Sequence, residues 1–219
     1  MAGVSRETDV PDPDLVAFWF GEASPLVATY VDLLTGEGVR RGILGPREAA
    51  RVWHRHILNC VVVHPLIDEG ASVGDLGSGA GLPGVVLALA RPDLAVSLIE
   101  PLLRRSSFLR ETVEILAVPN MHVVRARAEE LVGKVGFDVV TARAVAPIDR
   151  LARWALPLCR PGGELLAIKG SGVHNELTAA APILARLGAG PITVESCGVG
   201  VVDPATVVAR IQSSGSPMH

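Results

Sequence analysis

The run Asp75-Leu76-Gly77-Ser78-Gly79-Ala80-Gly81-Leu82-Pro83-Gly84, directly after Ala71-Ser72-Val73-Gly74, constrains this chain more than any other feature. The short apolar run reads as a buried strand, and glycines at alternate positions let the backbone turn sharply without Cβ clashes. From Leu82 onward, Leu82, Val85, Val86 and Leu89 have helical spacing. The turn therefore feeds a helix whose free N–H groups and positive dipole end face whatever lies against the loop. Strand, glycine turn and helix together make a nucleotide-type site. Two templates overlap in it: Gly77-x-Gly79-x-Gly81 with Asp75 just ahead, and Gly79-x-Gly81-x-x-Gly84, the dinucleotide fingerprint. The turn alone does not choose between them.

A second apolar run, Ala95-Val96-Ser97-Leu98-Ile99, ends in Glu100. That is about 20 residues past the turn, where this kind of unit places the carboxylate that accepts ribose hydroxyls. An adenosine-bearing cofactor follows. At 219 residues and 49% apolar, the chain can bury a full domain core. Its longest apolar stretches, such as 57–63, are far shorter than a membrane span, and the amino terminus is acidic where a signal peptide is basic. We expect a cytoplasmic protein without a membrane partner. Cys60, Cys159 and Cys197 are odd in number and set in apolar surroundings, which fits reduced core thiols and indicates neither a disulfide frame nor a metal site.

Residues 11–69 show helical spacing and no clear strand, with Leu15, Phe18 and Trp19 in one segment, Leu26, Tyr30, Leu33 and Leu34 in the next, then Val52, His56, Asn59 and Val63. We divide the chain into a helical cap (1–70), a cofactor-binding domain (71–212) and a flexible tail (213–219). In the second part, strands are predicted near 71–76, 95–100, 121–126, 137–142 and 163–168, alternating with helices, with a further helix near 175–187. That alternation predicts right-handed crossovers and a doubly wound α/β sheet covered on both faces. The last two runs, 192–199 and 206–211, are too close for a helical crossover and are predicted to pair antiparallel.

The formal net charge is −3, but it is unevenly spread. Arg40, Arg41, Arg47, Arg51 and Arg55 face only Glu48 in one stretch, five minus one or +4, before His54 and His56 are counted. Such a stretch is either a solvated helix face or a phosphate-facing patch. Glu7, Asp9, Asp12 and Asp14 make the amino terminus acidic, opposed by Arg6 alone, and nothing assigns this arm a role beyond solubility.

A parallel sheet closed by an antiparallel hairpin resembles the Class I S-adenosylmethionine methyltransferases. On that resemblance Glu129, after the third strand, contacts the adenine, and Thr141-Ala142-Arg143-Ala144, after the fourth, marks where methyl donor and acceptor meet. An NAD-dependent oxidoreductase keeps the glycine turn and Glu100 but needs a proton-transfer group, and Tyr30, the one tyrosine, is in no Tyr-x-x-x-Lys motif. The fourth strand carries neither the Asn/Asp-Pro-Pro-Tyr/Phe of exocyclic amino methylation nor the cysteine of pyrimidine C5 methylation. A guanine N7 has a lone pair and no proton to remove, so it needs no general base, and arginine suits the positioning it requires. A third reading is a non-catalytic module that binds RNA or ribosome-assembly intermediates on a methyltransferase fold.

Taken together, Arg55-His56-Ile57-Leu58-Asn59, the glycine turn through Leu82-Pro83-Gly84, Arg104-Arg105-x-x-Phe108-Leu109, Arg143-Ala144 and Ile168-Lys169-Gly170 resemble the ribosomal small-subunit methyltransferase G family, also called glucose-inhibited division protein B. The resemblance runs from about Arg47 to Ile211. It implies S-adenosylmethionine-dependent N7 methylation of one guanine of 16S rRNA beside the decoding centre, on naked rRNA, an assembly intermediate or the small subunit. It also implies a bacterial cytoplasmic enzyme, here expected to be a monomer, whose loss gives low-level streptomycin resistance. Carried over residue by residue, Gly77 and Leu82 line the cofactor cleft, Glu100 binds the ribose, Ala128 and Glu129 flank the adenine and Arg143 sits at the cleft mouth; the glycine turn itself adds Asp75 and Gly79 to the residues expected to hold the cofactor. Arg143 and Lys169 serve the acceptor side, and Arg47, Arg51, Arg55 and His56 reach RNA phosphates. Asn59-Cys60 departs from the family's usual Asp-Ser and loses a carboxylate. The terminal hairpin looks short, and with Lys134 and Lys169 as the two lysines, RNA contact rests mainly on arginine.

Overall fold

A computed structural model of the chain describes residues 11–214. Glu7 and Asp9 of the acidic arm and the tail from residue 215 lie outside the described residues, whereas Asp12 and Asp14 begin the first helix. Helix α1 (Pro13–Phe20) starts where Asp12 Oδ1 accepts the Asp14 N–H at 2.9 Å, with proline in the first turn. Helix α2 (Ser24–Leu33) runs on through a wider π-helical turn at Leu34–Gly38. A short α3 (Pro46–Ala49) and a second π-helical stretch, Trp53–Leu58, lead into α4 (Asn59–Val61).

Strands β1 (Ser72–Leu76), β2 (Ala95–Ile99), β3 (Met121–Val124), β4 (Phe137–Arg143), β5 (Cys159–Lys169), β6 (Ala189–Cys197) and β7 (Thr206–Ser213) form one sheet of order β3-β2-β1-β4-β5-β7-β6. The first five pair parallel, and β7 lies antiparallel between β5 and β6. The parallel strands are joined by α5 (Gly84–Ala90), α6 (Leu103–Leu116), α7 (Ala128–Leu131) and α8 (Ile148–Ala155), while α9 (Val173–Arg186) links β5 to β6. Strand β5 begins at Cys159, earlier than its apolar run, because Cys159 already pairs with Phe137 of β4; residues 160–163 then bulge out before Glu164 pairs with Val139. Strand β7 outlasts its apolar run as well: Ser213 pairs with Ala189, and the Ser214 N–H donates to Gly188 O at 3.1 Å. Ser213, expected in the tail, therefore belongs to β7, and the terminal hairpin is longer than its apolar residues suggest.

Alternate strand residues enter opposite cores. On one face Val27, Tyr30, Leu34, Ile57, Leu58 and Val61 share a fully buried cluster with Val85, Val86, Leu98 and Val208. On the other, Ile148 and Ala152 of α8 and Ala180 of α9 pack on Val140, Leu165 and Ala167. The amino-terminal helices thus share the sheet's core and, with α5 and α6, cover one whole face. Cys60, Cys159 and Cys197 are free thiols in these interiors. Among the described residues no helix is long and apolar enough to cross a membrane.

Candidate functional site

From β1 the chain winds outward through β2 and β3, then returns to place β4 on the other side of β1. The connections leave in opposite directions there, opening a crevice at the carboxyl ends of β1 and β4. A cavity of about 750 Å³ occupies it. The glycine loop contributes Gly77, Ser78, Gly79, Ala80 and Leu82, and the ends of β2, β3 and β4 add Glu100, Ala128, Glu129 and Arg143. Ile43, Leu44 and His56 approach from the helical segment.

The loop is braced from below. Gly77, Gly79 and Gly81 have φ of +69°, +59° and +101°, the left-handed region that only glycine adopts without strain. Asp75 is fully buried beneath them, its Oδ2 accepting the Ser78 hydroxyl at 2.5 Å and the Gly84 N–H at 3.0 Å. Its Oδ1 has no hydrogen-bond partner among the described residues. Burial pushes the Asp75 carboxyl up to about 6, against the opposing pull of those two donors and Arg143. Tyr30, fully buried in α2, donates its hydroxyl to Ala80 O at 2.9 Å. Gly84 is where α5 presses on the sheet: a Cβ there would lie 2.4 Å from Leu98 Cδ2 and 2.6 Å from Asp75 Oδ2. Glu100, 2% exposed, ties two loops together by accepting the Gly79 N–H at 3.0 Å and the Leu102 N–H at 2.9 Å.

The opposite wall depends on one side chain. Arg143, the last residue of β4, donates through Nη1 to Arg55 O at 3.3 Å and toward Cys60 Sγ at 3.5 Å, and through Nη2 to His56 Nδ1. Ala144 follows with φ of +54°, a strained left-handed turn at the cavity mouth. His56 is 5% exposed, and its Nε2 lies 3.0 Å from a Glu48 carboxylate oxygen, outside hydrogen-bond alignment. Burial, then the Arg143 charge, push the His56 imidazole down to about 4, so it is neutral near pH 7.

Of the residues singled out from sequence, Gly77, Gly79, Leu82, Glu100, Ala128, Glu129 and Arg143 meet at this cavity. Asp75 does not reach its lining and acts on the loop from behind. Lys169 lies outside the lining too, where Nζ donates to Ala146 O at 2.6 Å and pairs with Glu176 at 2.7 Å. It anchors the loop after β4 to α9. Arg47, Arg51 and Arg55 are exposed, but His56 points inward: in the π-helical stretch His54 and Arg55 face out and His56, Ile57 and Leu58 face in, so the edge of the buried face falls between Arg55 and His56. Asn59, where the family often has aspartate, donates to His54 O at 2.6 Å and accepts the Thr206 hydroxyl at 2.6 Å. An aspartate could not make the first of these bonds. Trp154, Ile43, Leu44, Arg105 and Arg127 also line the cavity; Arg105 stood in a motif visible in the sequence, and Arg127 directly precedes Ala128-Glu129.

The family model for rRNA small subunit methyltransferase G matches residues 24–201. The chain belongs to that family. A relative from Thermobifida fusca is 56% identical over 88% of this chain and 81% of its own, and one from Streptomyces avermitilis is 50% identical over 94% and 87%. Both are named ribosomal RNA small subunit methyltransferase G. The match starts upstream of Arg47, where the sequence resemblance began, and takes in the α2 helix that carries Tyr30. Among solved structures, the O-methyltransferase TomG from Streptomyces achromogenes, in complex with S-adenosylmethionine, superposes with a TM-score of 0.55 at 16% identity, covering 87% of this chain and 90% of that one. A ribosomal protein L11 methylase from Lactobacillus delbrueckii subsp. bulgaricus gives 0.54 at 14% identity over 71% and 77%. The fold is that of the Class I S-adenosylmethionine methyltransferases. Membership of the methyltransferase G family decides between the two glycine-loop templates in favour of S-adenosylmethionine over a nicotinamide cofactor.

Proposed function

We propose that this chain methylates N7 of one guanine of 16S rRNA, in the loop beside the decoding centre, using S-adenosylmethionine. The observation that carries this reading is the make-up of the acceptor wall. Arg143 stands at the cavity mouth; among the described residues no thiol lines the cavity, and the one imidazole that does, His56, has its Nδ1 lone pair engaged by the guanidinium. Such a wall can orient and stack a base but has little means of removing a proton, which matches an acceptor that carries none.

The residues present fit the cofactor. The loop offers bare backbone at Gly77 and Gly79, and the Glu100 carboxylate sits at the end of β2 in the ribose position. Ala128 and Glu129 flank the adenine, and Asp75 keeps the loop in shape from beneath. Bound there, S-adenosylmethionine supplies a methyl group activated by its sulfonium. Arg143 holds the guanine so that N7 meets that methyl in line, a contribution of position and electrostatics rather than acid–base chemistry. Lys169 acts on the same loop at one remove. Arg47, Arg51 and Arg55 take RNA phosphates on the exposed face beside the cleft. The enzyme works as a cytoplasmic monomer, and its loss gives low-level streptomycin resistance.

The test is transfer of labelled methyl to small-subunit particles and to naked 16S rRNA from cells lacking this gene, with the site mapped by borohydride and aniline cleavage. One new cut in the decoding-region loop is the expected outcome. Label without a cut would overturn N7, and cofactor binding without label would favour the non-catalytic module. Arg143→Ala is expected to slow transfer roughly 100-fold while leaving S-adenosylmethionine affinity by calorimetry nearly unchanged.

A further inference from the structure

We propose that His56 is a positioning residue for Arg143: its unprotonated Nδ1 receives the Arg143 guanidinium and fixes its orientation toward the acceptor base. The inference rests on the assignment of Arg143 to the acceptor side.

The guanidinium is held entirely by the π-helical stretch and the residues just after it. Its partners are Arg55 O at 3.3 Å, Cys60 Sγ at 3.5 Å and His56 Nδ1. The carbonyl and the thiol accept at long range, and the imidazole nitrogen is the remaining acceptor for the guanidinium among the described residues. An arginine can only donate, which places the lone pair on Nδ1 and the proton on Nε2, the side that faces the Glu48 carboxylate at 3.0 Å. The charged groups facing His56 are Glu48 from α3, Arg55 from its own turn and Arg143 from β4. Two of the three are cations, and the ring is buried, so the neutral tautomer with a free Nδ1 is the form present near pH 7. A protonated His56 would lose the acceptor and set a second cation against the guanidinium.

This geometry excludes the phosphate-contact role that the sequence suggested for His56, since the ring is 5% exposed and uncharged. It also excludes a free general base, because the one unprotonated nitrogen is occupied. Glu48 shares its Oε2 between His56 Nε2 and Arg55 Nε, the latter at 2.9 Å. The Arg55 and Arg143 side chains are therefore linked by three contacts, through Glu48 and one imidazole.

The test is a double-mutant cycle. His56→Leu fills the buried space without an acceptor, and His56→Asn puts an amide oxygen near the position of Nδ1. Each is made alone and in the Arg143→Ala background. Single-turnover methyl transfer is measured on small-subunit particles, with S-adenosylmethionine affinity by calorimetry and folding by thermal melting. His56→Leu is expected to slow transfer by roughly 10- to 100-fold, with cofactor affinity changed less than about threefold. His56→Asn is expected to recover most of the rate, and the His56→Leu loss is expected to vanish in the Arg143→Ala enzyme. An equal loss in both backgrounds would overturn the inference while leaving Arg143 in place, as would a folded His56→Asn as slow as His56→Leu. A fully active Arg143→Ala enzyme would instead overturn the assignment of Arg143, and the inference with it. Should His56→Leu fail to fold, the contrast between His56→Asn and His56→Ala carries the same decision.

Discussion

The two loops that face each other across the crevice are built on different principles. The loop after β1 is a backbone cradle held from several sides: Ser78 and Gly84 reach Asp75 over three and nine residues, Gly79 reaches Glu100 over 21, and Tyr30 reaches Ala80 over 50. The loop after β4 presents one side chain whose partners lie 83, 87 and 88 positions earlier. A cradle of bare backbone is limited by sterics, so it fails when a side chain is added. An arginine held by distant acceptors is limited by hydrogen bonding, so it fails when a partner is removed. Cofactor binding and methyl transfer should accordingly respond to separate sets of substitutions.

The largest effect that would break this contrast lies at Gly84. A valine there would drive atoms into Leu98 and Asp75, which already stand 2.4 Å and 2.6 Å from the position of a Cβ. The expected cost is about 3 kcal/mol, the upper end for overpacking, read as a fall in the denaturation midpoint together with loss of cofactor binding. A valine tolerated without loss of stability would mean that α5 does not press on β1 as tightly as the cradle requires.

The next effect concerns the support under the cradle. The folded Asp75 carboxyl titrates near 6, above its ordinary 3.8, so between those values the native state binds more protons than the unfolded chain. Stability from this group is therefore greatest below pH 4 and declines as pH rises through 6, by on the order of 2–3 kcal/mol. Asp93, Asp138, Glu37 and Glu111, held below the usual carboxylate range chiefly by arginine and hydrogen-bond partners, act in the opposite direction. The informative quantity is the difference between wild type and Asp75→Asn, which removes this titration and leaves the others. The difference should grow in favour of the variant from pH 4 to pH 6.5. A flat difference would mean that Asp75 is ionised throughout and that its unpartnered Oδ1 is reached by a donor.

The same contrast explains what the sequence made legible. Glycines at fixed spacing followed by a helical pattern, with a carboxylate at the end of the next strand, state a local geometry that sequence order preserves. Gly77, Gly79, Leu82 and Glu100 could therefore be placed at one cavity. The parallel, doubly wound class of the sheet and its antiparallel terminal pair were legible too, because alternation and connection length constrain crossovers. Helical spacing set His56 on one face with Val52, Asn59 and Val63, a face the structure turns inward; what was not legible is that its ring meets Arg143, 87 positions away. Tyr30 was legible as a helix residue, but its reach to Ala80, 50 positions away, depends on how α2 crosses the sheet. Lys169 stood in a motif and turned out to hold the loop after β4 from outside the cavity.

A smaller effect falls between the two loops. At Gly77 a Cβ would lie 3.0 Å from Val145 Cγ2, in the chain just after Arg143, on a backbone with φ of +69°. Gly77→Ala is expected to cost about 1–2 kcal/mol of local strain, seen as a roughly 5- to 30-fold loss of S-adenosylmethionine affinity in a folded protein. Because Val145 must yield, transfer at saturating cofactor should fall as well. Unchanged transfer would show the two loops to be mechanically independent.

The smallest effect sharpens the comparison on the RNA side, because the basic stretch divides into paired and unpaired arginines. Arg40 pairs with Glu37, and Arg41 lies 2.5 Å from Glu37 and 2.6 Å from Glu111. Arg47 and Arg51 are exposed and make no ion pair among the described residues. A phosphate must displace a carboxylate to reach the first two, whereas the second two are available at once. Counterion release predicts that Arg47→Ala and Arg51→Ala each flatten the salt dependence of RNA binding by about one unit of log–log slope. Arg40→Ala should leave that slope nearly unchanged. Equal slopes for all three variants would make the whole stretch a solvated helix face, and RNA would then have to be held by arginines at the cavity rim such as Arg105 and Arg127.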